Sequence, residues 1–208
     1  IEEQHILETY KNQVSNIYLS LNSATGTVIK EEIQKAFKGL LGIEPKFDSK
    51  TPNLIISTLD KLDPSLQKKL PEISKMNDEA YVIQYISDSK DAQIIISAIT
   101  EKGLLYGAFN FIKQMQLRND LSKLSISDSP KIQKRLLNHW DNLDRSVERG
   151  YAGFSIWDWY LLPELIKQEY IDYARANASI GINGTVLTNV NSNALVLSPR
   201  YIQKLKAL

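Results

Sequence analysis

The side chains best suited to chemistry crowd between residues 135 and 159, where His139, Trp140, Asn142, Glu148 and Arg149 precede Trp157 and Trp159. Such groups can transfer protons, hydrogen-bond a polar ligand or wall an apolar one. Each also has a plain structural reading. A tryptophan at the end of an apolar run, as Trp140 is, is more often core than ligand wall. Glu148 beside Arg149 reads equally well as a solvated ion pair. His139 neighbours Trp140, so on a strand its side chain points to the opposite face, which suits a core or supporting role better than catalysis. Trp157 and Trp159, two apart, suit packing or a contact with a partner subunit.

Other chemistries are excluded or weak. The chain has no cysteine, which removes disulfides, thiolate metal sites and a thiol nucleophile. Its two histidines, His5 and His139, cannot build a multi-histidine zinc site. Acids such as Asp60, Asp63 and Glu101 are scattered singly. Gly103 and Gly107 fall in a helical pattern rather than after a strand, so they form no nucleotide fingerprint. Asn177–Ser179 and Asn183–Thr185 fit the N-glycosylation pattern but fall in expected regular structure, and read as chance matches. The 208 residues carry 25 basic and 24 acidic groups, a net charge of +1, which offers no long-range attraction to nucleic acid or to an anionic membrane. No apolar run approaches the roughly 18 residues a membrane span needs.

The elements that must position these groups fall into two zones. In the first, Ile29, Ile33, Phe37, Leu40 and Leu41 give a helical stripe over about 27–41, with Thr27 as a cap and Gly42 as a left-handed stop. Asn53–Leu59 reads as a buried strand, and residues 60–77, with Pro64 and Pro71, as a loop with a short helix. Strands at Tyr81–Ile86 and Gln93–Ala98 are joined by a turn over Ser87–Asp91. A second helix over about 102–117 turns Leu105, Ala108, Phe109, Ile112 and Met115 inward. This is an α+β domain, a small sheet with packed helices. Ser122–Pro130, rich in Ser and Asp, marks the boundary, giving domains 1–128 and 129–208. Beyond it come a strand at Lys134–Trp140, a helix from Pro163 to about Ser179 stopped by Gly181, a strand at Gly184–Thr188, and a helix opened by Pro199. Strand–helix–strand–helix order implies parallel strands with crossover helices.

Three segments carry a resemblance: RLLNHWDNLDRSVERGYAG at 135–153 with SIWDW at 155–159, YAR at 173–175 with ASIGINGTVLTNVN at 178–191, and GLLYGAF at 103–109. The chain resembles the α-glucuronidases of glycoside hydrolase family 67. The resemblance implies an α/β fold, in which an N-terminal α+β domain leads into the first strand–helix units of a (β/α)8 barrel. A barrel takes about 250 residues and about 75 follow residue 131, so the expectation is a fragment of a longer enzyme, inactive alone.

The activity implied is removal of (4-O-methyl-)D-glucuronic acid from xylooligosaccharides by an inverting pair of carboxylates. That family places the pair on later barrel strands, so no residue here is assigned as catalytic. The resemblance does imply substrate contacts at two strand tips. Trp140 and Val190 would form an apolar wall against the 4-position of the uronic acid, Asn142, Glu148 and Asn191 would bind sugar hydroxyls, and Glu148 with Arg149 would shape the pocket. No cofactor or metal is implied. The partners expected are glucuronoxylan-derived oligosaccharides, with room for a homodimer of the full-length enzyme. The compartment stays open, although the absence of methionine at Ile1 suggests a segment removed upstream and favours the periplasm or exterior over the cytoplasm. Two other readings stand beside this one: a non-catalytic domain binding carbohydrate or a subunit, and a β-hexosaminidase-like hydrolase of the same layout.

Overall fold

A computed structural model describes residues 3–47, 49–73, 75–87 and 92–208. The chain is a mixed α/β protein that divides into two compact units, residues 1–131 and 132–208. None of its described helices is long and apolar enough to cross a membrane.

The first unit is built on a five-stranded sheet of order β1-β2-β4-β3-β5. The strands are β1 (Ile17–Leu19), β2 (Leu54–Thr58), β3 (Tyr81–Ser87), β4 (Ala92–Ala98) and β5 (Ser125–Asp128). β1, β2 and β4 run parallel, whereas β3 is antiparallel to both β4 and β5. β2 lies between two neighbours and is buried along its whole length, which explains its unbroken run of apolar and small residues. Ile55 and Ile95 pair across β2 and β4 and share one face with Leu62, Leu66 and Leu70. Of the turn expected over Ser87–Asp91, Ser87 ends β3 and residues 88–91 lie outside the described residues.

Three long helices complete this unit: α1 (Gln4–Val14), α2 (Ala24–Leu41) and α4 (Glu101–Gln116); the short α3 covers Pro64–Gln67. α2 starts three residues before the expected cap. Ser23, not Thr27, caps it by accepting the Gly26 N–H at 3.1 Å, while the Thr27 hydroxyl donates to the Ser23 carbonyl. Gly42, at φ +67°, closes α2 as expected. α4 buries Leu104, Ala108, Phe111 and Ile112, whereas Leu105 is only half-buried. It lies close on the sheet because two positions lack a side chain. A Cβ on Gly103 would stand 2.5 Å from the Ala80 carbonyl oxygen, and one on Gly107 2.9 Å from Ile96 Cγ2. The GLLYG spacing is therefore a packing device.

α1, β1 and β5 were not expected. α1 buries only Tyr10 and Val14, too thin a stripe to stand out. β5 occupies the stretch read as a boundary, and it is mostly exposed, hence polar. Tyr81 ties it in place: its hydroxyl donates to Asp128 at 2.9 Å and accepts from Asn110 at 2.7 Å. Burial, with the Asp128 charge, pushes that phenol up to about 12.

The second unit pairs β6 (Leu136–Asn138) with β7 (Gly184–Val186), parallel as expected, with Leu137 opposite Thr185. α5 (Gln168–Ser179) connects them, and α6 (Pro199–Ala207) follows with Pro199 in its first turn. Pro163 does not open α5. The Leu162–Pro163 peptide is cis, and the helix begins at Gln168. The preceding segment is committed elsewhere: Trp157, Trp159 and Leu162 form the core with Leu143 and Tyr170. Lys204 of α6 is 5% exposed, and its ammonium donates to the carbonyls of Trp159 and Leu162. An ammonium in that position hydrogen-bonds carbonyl oxygens that burial would otherwise leave costly.

Candidate active site at the strand tips

The paired strands run out into two tips that stay joined. The His139 N–H donates to the Val186 carbonyl at 2.9 Å, and past the end of β7 the Asn189 N–H donates to the Asp141 carbonyl at 2.8 Å. Trp140 and Val190 flank this last bond in sequence, one on each tip. Trp140 is 47% exposed and Val190 85%. An indole and a branched alkyl group are thus left in solvent on joined strand ends, outside the core. Asn191 follows, exposed, with its N–H donating to the Asn189 side chain at 2.9 Å.

The loop after β6 folds back on its own tip. Bridges pair Asp141 with Val147 and Ser146 with Phe154. Glu148 donates its N–H to the Trp140 carbonyl at 2.6 Å and takes a left-handed backbone, φ +56°. Arg145 is also left-handed at +73°. Non-glycine residues in this region carry strain and concentrate at functional sites. Asn142 spends its amide N–H groups on the loop, donating to the Glu148 carbonyl at 2.8 Å and to the Ser146 hydroxyl at 3.1 Å. Its described role is to shape the loop. The Glu148 carboxylate takes a hydrogen bond from the Tyr151 hydroxyl, which raises that phenol's pKa. Glu148 thus has a described partner other than Arg149, which is exposed.

Sequence reasoning missed the loop's anchor. Asp158, nearly buried, receives Arg145 at 2.9 Å and Lys167 at 3.3 Å. Burial alone would raise its pKa, but the Lys167 hydrogen bond and the charges of Arg145 and Lys167 hold it below the ordinary carboxylate range. A depressed folded-state value stabilises the protein above the unfolded value of about 3.9 and loses that stabilisation as pH falls. Asp158→Asn should therefore cost on the order of 1–2 kcal/mol near neutral pH and flatten the acid limb below about pH 4. Denaturant midpoints followed by tryptophan fluorescence at pH 7 and pH 3.5 would check this. An unchanged acid limb would remove Asp158 from the account.

His139 lies on the helix side, as expected from its neighbour's orientation. Its Nε2 is 2.6 Å from the Tyr173 hydroxyl on α5, and its Nδ1 is 3.4 Å from Asp141 Oδ2. Trp157 packs edge-on against it at 5.5 Å, and Trp157 and Trp159 are both core. A cavity of about 440 Å³ opens in this unit between Trp157, Tyr173, Asn177 and Leu187. None of Trp140, Asn142, Glu148, Arg149, Val190 and Asn191 lines it. Among the described residues no group of three or more acidic or histidine side chains is placed to hold a metal ion.

Two family models match the chain. One, described as the glycosyl hydrolase family 67 N-terminus, covers residues 1–111, and the other, the family 67 middle domain, covers 114–208. A protein of Aspergillus clavatus named probable alpha-glucuronidase A is 33% identical over 185 residues, 88% of this chain and 21% of its own length. The alpha-glucuronidase of Hypocrea jecorina is 32% identical over 193 residues, 85% of this chain and 22% of its own. Among solved structures, a GH138 enzyme targeting pectin rhamnogalacturonan II covers 92% of this chain and 28% of its own, with TM-score 0.56 and 13% identity, a likeness of fold alone. The chain spans about a fifth of the length of these curated relatives.

Proposed function

The chain belongs to glycosyl hydrolase family 67, and from that premise we propose that the protein carrying it is an α-glucuronidase that removes (4-O-methyl-)glucuronic acid from xylooligosaccharides. The observation that carries this reading is the joined pair of strand tips. The Asn189–Asp141 bond holds Trp140 and Val190 on adjoining ends, exposed and apolar. Barrel enzymes bind substrate at the C-terminal ends of their strands, and β6 and β7 fit the first two strands of such a barrel, with α5 and α6 as its first two helices.

In this reading Trp140 and Val190 wall the 4-position of the sugar. An indole face and an isopropyl group favour a methyl ether and sugar C–H surfaces. Glu148 and Asn191 bind hydroxyls, Arg149 shapes the rim, and Asn142 acts mainly by fixing Glu148. Hydrolysis inverts the anomeric centre. One carboxylic acid protonates the leaving oxygen while a carboxylate activates water on the opposite face, roughly 6.5–9.5 Å away. No acid among these 208 residues takes either role, and the pair belongs to later strands of the protein. The chemistry calls for no cofactor or metal. The partner is a glucuronoxylan-derived oligosaccharide.

The test is incubation of the full-length gene product with aldouronic oligosaccharides, followed by proton NMR. Free uronic acid should appear first as the β-anomer. A folded protein that releases none would overturn the reading.

A further inference from the structure

We infer that Tyr173 and His139 are positioning residues for selectivity at the sugar's 4-position, acting through Asp141 on the two strand tips. The inference rests on the proposed role of Trp140 and Val190 as the wall of that subsite. Neither Tyr173 nor His139 is placed on the wall. Tyr173 lies on α5, and its hydroxyl meets His139 Nε2 at 2.6 Å. The other ring nitrogen, Nδ1, faces the Asp141 carboxylate at 3.4 Å. Asp141 is 4% exposed, and its carbonyl accepts the Asn189 N–H at 2.8 Å. Trp140 stands between His139 and Asp141 in the chain, and Val190 follows Asn189. One line of contacts therefore runs from the middle of a helix to Asp141 and Asn189, the chain neighbours of the two wall residues.

The chemistry of the line is self-consistent. The Tyr173 hydroxyl and His139 Nε2 share a hydrogen bond, and the opposite edge of the ring turns Nδ1 toward the Asp141 carboxylate. The ring is hydrogen-bonded at Nε2, faces Asp141 through Nδ1, and is packed edge-on by Trp157 at 5.5 Å and by Tyr173 itself at 5.4 Å. A ring so held fixes the peptide planes on either side of Trp140. The Asp141 carbonyl then carries that fixed position across to Asn189. Without the line, the gap between Trp140 and Val190 would rest on main-chain bonds alone, those of the short β6–β7 pairing and the few that join the tips beyond it. A pocket that must tell a methyl ether from a hydroxyl depends on that gap, because small misplacements of a wall cost far more than their size suggests.

The test uses the full-length protein and two substrates, an aldouronic oligosaccharide with and without the 4-O-methyl group. Tyr173→Phe removes one hydroxyl and leaves the ring packing intact. His139→Asn keeps a donor near the Nδ1 position while breaking the link to Tyr173. Each variant should lower the ratio of kcat/KM for methylated over unmethylated substrate by about threefold to tenfold, the scale of one hydrogen bond to a well-placed group. The loss should fall on KM for the methylated sugar, with kcat on the unmethylated sugar retained. The double variant should lose no more than either single, because all three break the same line. A ratio within twofold of the parent in both variants overturns the inference, as does an equal fall for both substrates, which marks a purely structural role. A parent protein that releases uronic acid but does not distinguish the substrates defeats the wall reading itself, and one that releases none defeats the proposed activity.

Discussion

Trp140→Ala in the full-length protein is expected to lower kcat/KM on methylated aldouronic oligosaccharides by roughly 30- to 150-fold, about 2–3 kcal/mol. The indole is nearly half exposed at the tip of β6, so the free protein leaves much of its surface in water. Substrate would cover that surface, and its truncation forfeits the contact and admits water beside the methyl group. The fold should tolerate the change, since Trp140 is not part of the core around Trp157 and Leu162. Steady-state kinetics beside a denaturation curve separates the two effects. A variant with full activity would show that the exposed indole faces something other than sugar.

The second large effect concerns stability. Phe111→Ala should destabilise the first unit by about 3–5 kcal/mol, the usual cost of emptying an aromatic site in a packed core. Phe111 is fully buried, on a helix whose Gly103 and Gly107 bring it against the sheet. Close contact on that side leaves little freedom for neighbours to collapse into the void. The urea midpoint followed by far-UV circular dichroism should fall by about 1–5 M, given slopes near 1–3 kcal/mol per M. Phe154→Ala is the control. Phe154 is 84% exposed, and its loss should stay within about 0.5 kcal/mol. Equal shifts in the two variants would contradict the assignment of the core.

Burial on two sides made the first unit legible in sequence. Leu54–Thr58, Tyr81–Ser87 and Ala92–Ala98 were visible as strands because a central strand must be apolar on both faces. α2 and α4 showed the helical period, and Gly42 marked its stop. Edge elements did not show. β1 is three residues long and β5 is polar where it meets solvent. Thr27 has the residue type of a cap, but Ser23 stands where the chain turns, and its hydroxyl also reaches Glu101 at 2.6 Å. That contact joins residues 78 apart, beyond any local reading.

At the site, residue types were legible and their partners were not. The strand expected to reach Trp140 ends at Asn138, so His139 and Trp140 lie just past β6, His139 against Tyr173 and Trp140 exposed. Nothing in the sequence separated Asn142, whose amide is bound up in the loop, from Asn191, whose side chain is exposed. The Arg145–Asp158–Lys167 cluster and the Tyr173–His139 contact depend on how the long crossover between β6 and β7 folds back, which spacing alone does not encode. Pro163 misled for a related reason. Its fixed φ suits a helix start, but the flanking tryptophans are drawn into the core first, and α5 begins only at Gln168.

The order of strands in the first unit bears on how the chain is made. β1 and β2 leave the ribosome first, yet together they form only a two-stranded parallel ribbon, which is marginal in water. The strand that gives β2 its second neighbour, β4, is synthesised after β3, though it lies between them. β2 therefore lacks its second neighbour until the β3–β4 pair has been made. That pair and α4 form one run of local contacts over 81–116, the kind that assembles fastest. Synthesis through this stretch is the step at which the earlier strands find a template, and slow codons placed after it would favour folding more than slow codons placed before.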